Sequence, residues 1–101
     1  MRKWKQLYPM LDAVSDEVTV YYQPPEEIKL DYPAILFEKT GGEYSFANNK
    51  VNSKAAKFKV TVIYKDPNFE YEESMSHIRY CSPDTSFRTE GLYHDVYTVY
   101  V

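Results

Sequence analysis

Residues 57–65 run Lys-Phe-Lys-Val-Thr-Val-Ile-Tyr-Lys, so Lys57, Lys59, Thr61, Ile63 and Lys65 alternate with Phe58, Val60, Val62 and Tyr64. Successive side chains of a strand point to opposite faces, so this segment specifies a β-strand with one apolar and one largely basic face. Such a strand needs a sheet around it and a covering layer on its apolar side. A chain of 101 residues holds material for one core of this kind. We therefore expect a single domain over residues 1–101, with 1–16 as an N-terminal helical segment.

The flanking segments supply the sheet and its cover. Trp4, Leu7, Leu11 and Val14 recur at helical spacing, although Pro9 demands a kink or a helix restarted at that residue. Val18 to Tyr22 is β-branched and aromatic and predicts a short strand closed by Pro24-Pro25; the polar stretch 26–31 has no period and predicts a loop. Ala34–Lys39 and Glu43–Phe46 flank Thr40-Gly41-Gly42, which predicts a hairpin turning on the glycine pair, and Asn48-Asn49 marks the next turn. Asp66 can cap a helix with Pro67 as its first residue, placing Tyr71, Met75 and Ile78 on one face. Thr85–Thr89 and Tyr93–Val101 predict two last strands around Glu90-Gly91. The expected class is α+β, a mostly antiparallel sheet with one or two helices packed on one face.

Chemistry is harder to find. His94-Asp95 is the best polar pair, but neighbours in a strand point apart, so Asp95 would not orient the His94 ring. His77 and Cys81 are two nominal metal ligands without a further pair at recognisable spacing. Gly41-Gly42 lacks the remaining residues of a phosphate loop, and the adjacent acids Glu26-Glu27 and Glu72-Glu73 suit exposed surface. We assign no catalytic, metal-binding or cofactor-binding residue. The net charge of −3 argues against a sequence-independent grip on phosphates. Phe58, Val60, Val62 and Tyr64 also lie opposite Lys57 and Lys59, so bases could not stack where the charges lie. A nucleic-acid- or protein-binding module using the Lys57/Lys59 face is the alternative kept.

One cysteine permits no intrachain disulfide and suits a reducing cytoplasm. The basic start is interrupted by Gln6, Pro9 and Asp12 and does not read as a secretion signal. No apolar run approaches the roughly 18–20 residues that span a bilayer, so we expect a soluble protein without a membrane partner. Lys50, Lys54, Lys57, Lys59 and Lys65 occur with no acidic residue among them, and Asp66, Glu70, Glu72 and Glu73 follow at once. These are either two solvated faces or the complementary sides of a contact between subunits. Eleven tyrosines, among them Tyr21, Tyr22, Tyr32, Tyr93, Tyr97 and Tyr100, suit both half-buried strands and interfaces.

Four segments taken together carry a resemblance: 31–38 (Asp-Tyr-Pro-Ala-Ile-Leu-Phe-Glu), 47–49 (Ala-Asn-Asn), 58–68 (Phe-Lys-Val-Thr-Val-Ile-Tyr-Lys-Asp-Pro-Asn) and 92–97 (Leu-Tyr-His-Asp-Val-Tyr). In order and spacing they resemble the tail-terminator, or head–tail joining and tail-completion, proteins of long-tailed bacteriophages, over residues 17–101. Ala34 stands where that family often has Cys, and Asn48 where Asp is usual. The resemblance implies a non-catalytic virion protein, located in the tail or neck and in the host cytoplasm during assembly. It would form a ring, as a hexamer, at the head-proximal end of the tail tube, ending tube growth and joining tail to head. Its partners would be further copies of itself, the tube protein and neck connectors, with DNA passing through the lumen without specific binding. Another neck or head-completion connector is the nearest rival. Candidate interface residues are Tyr32, Pro33, Asn48, Asn49, Lys57, Lys59, Glu70, Glu72, Glu73, Tyr93, His94 and Tyr97.

Overall fold

The structure is a computed structural model describing residues 3–25, 27–47, 50–78 and 80–101, with backbone alone at 3, 41–47 and 50–55. Its elements are α1 (Lys3–Asp12), β1 (Thr19–Tyr22), β2 (Ala34–Ala47), β3 (Lys50–Tyr64), α2 (Glu72–Ser76), β4 (Cys81–Thr89) and β5 (Leu92–Tyr100). The strands form one sheet in the order β1-β2-β3-β5-β4. β1 runs parallel to β2, and the other neighbours are antiparallel. The α+β class expected from sequence is the class observed.

Leu7 and Leu11 of α1 are fully buried, and Trp4 stacks on Tyr22 with ring centroids 4.7 Å apart. α1 runs through Pro9, and the Ala13 N–H reaches the Pro9 carbonyl at 3.1 Å. The donor that Pro9 lacks would have served the carbonyl of Lys5, an exposed residue where solvent can substitute. Phe37, Phe58, Val60 and Val62 lie under the helices, joined by Tyr71, Met75 and Ile78 from α2 and its flanks. The three expected apolar residues of the second helix are therefore buried, but that helix is shorter than expected. Asp66 does not cap it: its Oδ1 accepts the Asn68 N–H at 2.9 Å and its carbonyl the Phe69 N–H at 3.0 Å, closing a turn ahead of α2.

The glycine pair is also corrected. Gly41 and Gly42 do not turn the chain; they lie inside β2, which runs unbroken to Ala47. Lys39 pairs with Phe58 and Gly41 with Lys57, so Thr40 is an extra residue in β2 and the glycines follow a bulge. The Thr40 hydroxyl donates to the Lys57 carbonyl at 3.4 Å. The β2–β3 hairpin is consequently much longer than expected, and the Asn48-Asn49 turn lies outside the described residues. The expected strand at 85–89 likewise starts earlier, at Cys81.

β2 and β3 outrun their neighbours. β1 pairs only with Ala34–Phe37 of β2, and β5 with Lys57–Tyr64 of β3, beyond which a last pair of hydrogen bonds joins Ala56 and Val101. Residues 41–47 and 50–55 therefore form a two-stranded arm that, among the described residues, has no third strand. The molecule measures 48 × 28 × 24 Å, and its radius of gyration of 14.5 Å exceeds the ~13 Å usual at this length.

Candidate interaction surfaces

The sheet has two unlike faces. On the helix side, Val60 lies across from Tyr97 and Val62 from Asp95. On the other side Leu36 registers with Thr61, Thr61 with Val96, and Val96 with Thr85. Among the described residues no helix covers this second face. The connection between β1 and β2 overhangs part of it: Gln23 and Pro24 border a groove of about 270 Å³ floored by Leu36, Thr61 and Ile63, and the Asp31 N–H donates to the hydroxyl of Tyr21, which registers with Leu36. Ala34, Ile63 and Val96 on this face are buried.

The sequence-nominated residues divide between these surfaces. Lys57 and Lys59 stand on the uncovered face, Lys57 across from Tyr100 and Lys59 between Thr98 and Glu38. His94 is on this face too, its ring stacked on Phe87 at 4.7 Å and 9°. Glu70, Glu72 and Glu73 are exposed on the helix side around the start of α2, where the Glu72 carboxylate accepts the Tyr71 N–H at 3.1 Å. Tyr93 stacks on Tyr64 at 5.2 Å with the Arg88 guanidinium 5.2 Å from its ring centre, and Tyr97 enters the hydroxyl cluster described below. Tyr32 and Pro33, joined by a cis peptide, border a crevice of about 310 Å³ with Tyr64, Phe69 and Glu70, and Lys65 Nζ lies 5.3 Å from the Tyr32 ring centre. Asn48 and Asn49 lie outside the described residues.

Sequence reasoning missed the polar centre of the helix side. Tyr64 donates its hydroxyl to Asp95 Oδ2 at 2.9 Å, Tyr71 donates to the same oxygen, and the Tyr71 and Tyr97 hydroxyls are 2.9 Å apart. One carboxylate thus ties β3, β5 and the entry to α2 together. Burial, followed by the hydrogen bond to Asp95, raises the Tyr64 and Tyr71 phenols well above their ordinary range; burial is also the leading cause at Tyr97. Such phenols stay protonated and serve as donors, so the cluster fastens the fold. The signal available was the alternation Tyr93, Asp95, Tyr97, which puts a carboxylate in a row of tyrosines on the core face.

His94 and Asp95 do face opposite sides of the sheet, as strand geometry requires. Cys81 is half-buried at the start of β4, and burial pushes its thiol pKa up. Among the described residues no three His, Cys, Asp or Glu side chains converge as metal ligands, and no helix is long and apolar enough to cross a membrane. Contrary to the expectation from β3, an aromatic stack does stand on the face that carries the lysines. β3 alone offers no ring beside its lysines, but β4 and β5 bring the Phe87–His94 stack onto the lysine-bearing face. No protein-family model matches the chain, and no curated protein matches it significantly.

Proposed function

We propose that this chain is a structural subunit of a phage tail or neck, closing with copies of itself into a ring at the head-proximal end of the tail tube. The observation that carries the reading is the arm formed by 41–47 and 50–55, whose two strands pair only with each other among the described residues. A lone two-stranded hairpin is at best marginally stable in water, so an arm of this length gains its order from contact with another chain. The sheet face away from the helices, covered only in part among the described residues, is a second such surface. Together they support a subunit designed for assembly, and the segment resemblance supplies the place.

Termination then follows from asymmetry. Tubes grow by stacking rings, and growth stops when a bound ring presents an upper face that accepts no further tube ring. Six copies, each carrying −3, would surround DNA with net negative charge and let it pass without capture. The test is inactivation of the gene in its phage, with tails viewed by electron microscopy. Overlong or unjoined tails are expected; normal tails beside heads that leak DNA would transfer the protein to a head-completion connector, and wild-type particles would end the virion reading.

The Phe87–His94 stack favours a second reading, a module that binds single-stranded nucleic acid on the lysine face. Glu38 beside Lys59 and the negative net charge weigh against it. Anisotropy of a labelled oligonucleotide at low salt decides: micromolar binding lost in Lys59→Glu would replace the ring proposal.

A further inference from the structure

We infer that the uncovered, lysine-bearing sheet face of one copy docks on the α2 side of a second copy, with Lys57 and Lys59 facing Glu70 and Glu73. This inference rests on the ring reading and names the contact that would build the ring. Lys59, Glu70 and Glu73 are exposed, and among the described residues none of them makes an ion pair within the chain. The sheet itself separates them, because Lys59 projects from the face opposite the one on which α2 lies. Opposite charges fixed on opposite faces of one body cannot satisfy each other inside it. They can do so between bodies, and the same contact then repeats from copy to copy.

A contact between two different surfaces is heterologous, and it closes into a ring when the rotation per step permits. Each surface also has an apolar centre beside its charges, the arrangement of a protein interface. On the sheet side this is the Leu36–Ile63 groove. On the helix side it is a groove of about 460 Å³ between α1 and α2, lined by Met10, Ala13 and Ile78, with Met10 47% exposed. Two neighbouring side chains bear on the match: Glu38 lies beside Lys59 on the sheet face, and His77 lies at the end of α2. Neither changes the sign of its surface. Glu72 is left out because its carboxylate already serves the Tyr71 N–H.

Charge exchange tests this on the full chain, with association measured by sedimentation velocity at low and high salt and folding checked by circular dichroism. Lys57→Glu/Lys59→Glu and Glu70→Lys/Glu73→Lys should each associate at least about tenfold more weakly than wild type, because like charges then meet. An equimolar mixture of the two should recover wild-type particle size, since each variant carries the complement of the other. Lys59→Glu alone, at the more exposed lysine, should show the same weakening in part and guards against loss of fold in the double variant. Reversed variants that associate as wild type, or a folded pair that fails to recover on mixing, would overturn this contact and leave the ring to another surface. A wild type that stays monomeric in low salt at high concentration would overturn the contact and remove the solution support for the ring as well.

Discussion

The two faces of the sheet are made by the same strands and are covered unequally. Towards the helices, Phe37, Phe58, Val60 and Val62 are at most 1% exposed and touch α1, α2 and one another. Away from them, Lys59 and Phe87 are open to solvent and Leu36, Thr61 and Thr98 are partly so. Hydrophobic stabilisation scales with apolar area removed from water, so the first face contributes most of what holds the domain together, and the second, where Ala34, Ile63 and Val96 are buried, contributes less. The difference teaches that burial in the fold is divided by strand parity, so the assembly we propose can be tested apart from stability. Substitutions at Phe58, Val60 and Val62 should damage the fold, and, on the ring we propose, substitutions at Lys57 and Lys59 should damage association.

The largest effect expected is Phe58→Ala. Phe58 lies in an aromatic row with Tyr22 and Phe37 at 6.4 and 6.0 Å, and its loss should cost about 3–5 kcal/mol in urea unfolding. Thr61→Ala, three residues on and on the other face, should cost below about 1 kcal/mol. Equal losses at the two positions would show that the uncovered face is packed in solution.

Second is the hydroxyl cluster. Asp95→Ala removes the acceptor of two phenols and should cost about 2–3 kcal/mol, whereas Tyr97→Phe should cost about 1 kcal/mol. The same cluster sets an alkaline limit. Tyr64, Tyr71 and Tyr97 have folded-state pKa values raised above 10.0, so their neutral forms are favoured by folding. The stability they contribute is complete below the unfolded phenol pKa near ~10 and falls as pH rises through it towards the folded values. Urea midpoints should therefore drop between about pH 9 and pH 11, less steeply in Tyr71→Phe. A midpoint that rises across this window would show the phenols ionising more readily in the folded chain.

How far these faces were legible beforehand follows from what each signal depends on. The parity of residues 57–65 is local, and a strand between two neighbours keeps it, so the core face was readable. The residues at helical spacing, Leu7, Leu11 and Val14 and then Tyr71, Met75 and Ile78, are buried as expected, although Val14, Tyr71 and Ile78 lie just outside the two helices. Gly41-Gly42 was misread because glycine permits a turn and a bulge alike, and the choice depends on how far β3 pairs. Asp66-Pro67 was misread because an Asx turn and a helix cap use the same side-chain acceptor. Of the Asp95 cluster only the alternation Tyr93, Asp95, Tyr97 was legible; its partners Tyr64 and Tyr71, 31 and 24 positions away, are joined through a register no single segment specifies. The interface candidates lay partly within reach: sequence grouped the lysines and the acids, but only the sheet shows that they stand back to back.

Third is the β4–β5 turn, at the edge of both faces. Thr89 pairs with Leu92 across Glu90 and Gly91, whose φ angles of 54° and 76° give the two-residue turn with both central residues left-handed. No heavy atom lies within 4 Å of a Cβ placed on Gly91, so Gly91→Ala meets only backbone strain and should cost about 1 kcal/mol. Glu90→Asn suits the same conformation and should raise stability by about 0.5 kcal/mol. Both should appear as shifts in urea midpoint without a change in association.

The smallest expected effect on the fold is the most informative for the comparison. Lys59→Glu replaces one exposed side chain by another in a strand and breaks no ion pair among the described residues, so monomer stability should change by less than about 0.5 kcal/mol. Any change should be unfavourable, because Glu38 sits directly across and two carboxylates would then face each other. Lys59→Gln controls for this, removing the cation without adding an anion. If the urea midpoints of both variants match wild type while sedimentation shows weaker association, the odd face of β3 serves partners alone. If Lys59→Gln unfolds measurably earlier at equal, dilute concentration, the lysine supports the monomer, and the division of labour between the two faces fails at its central strand.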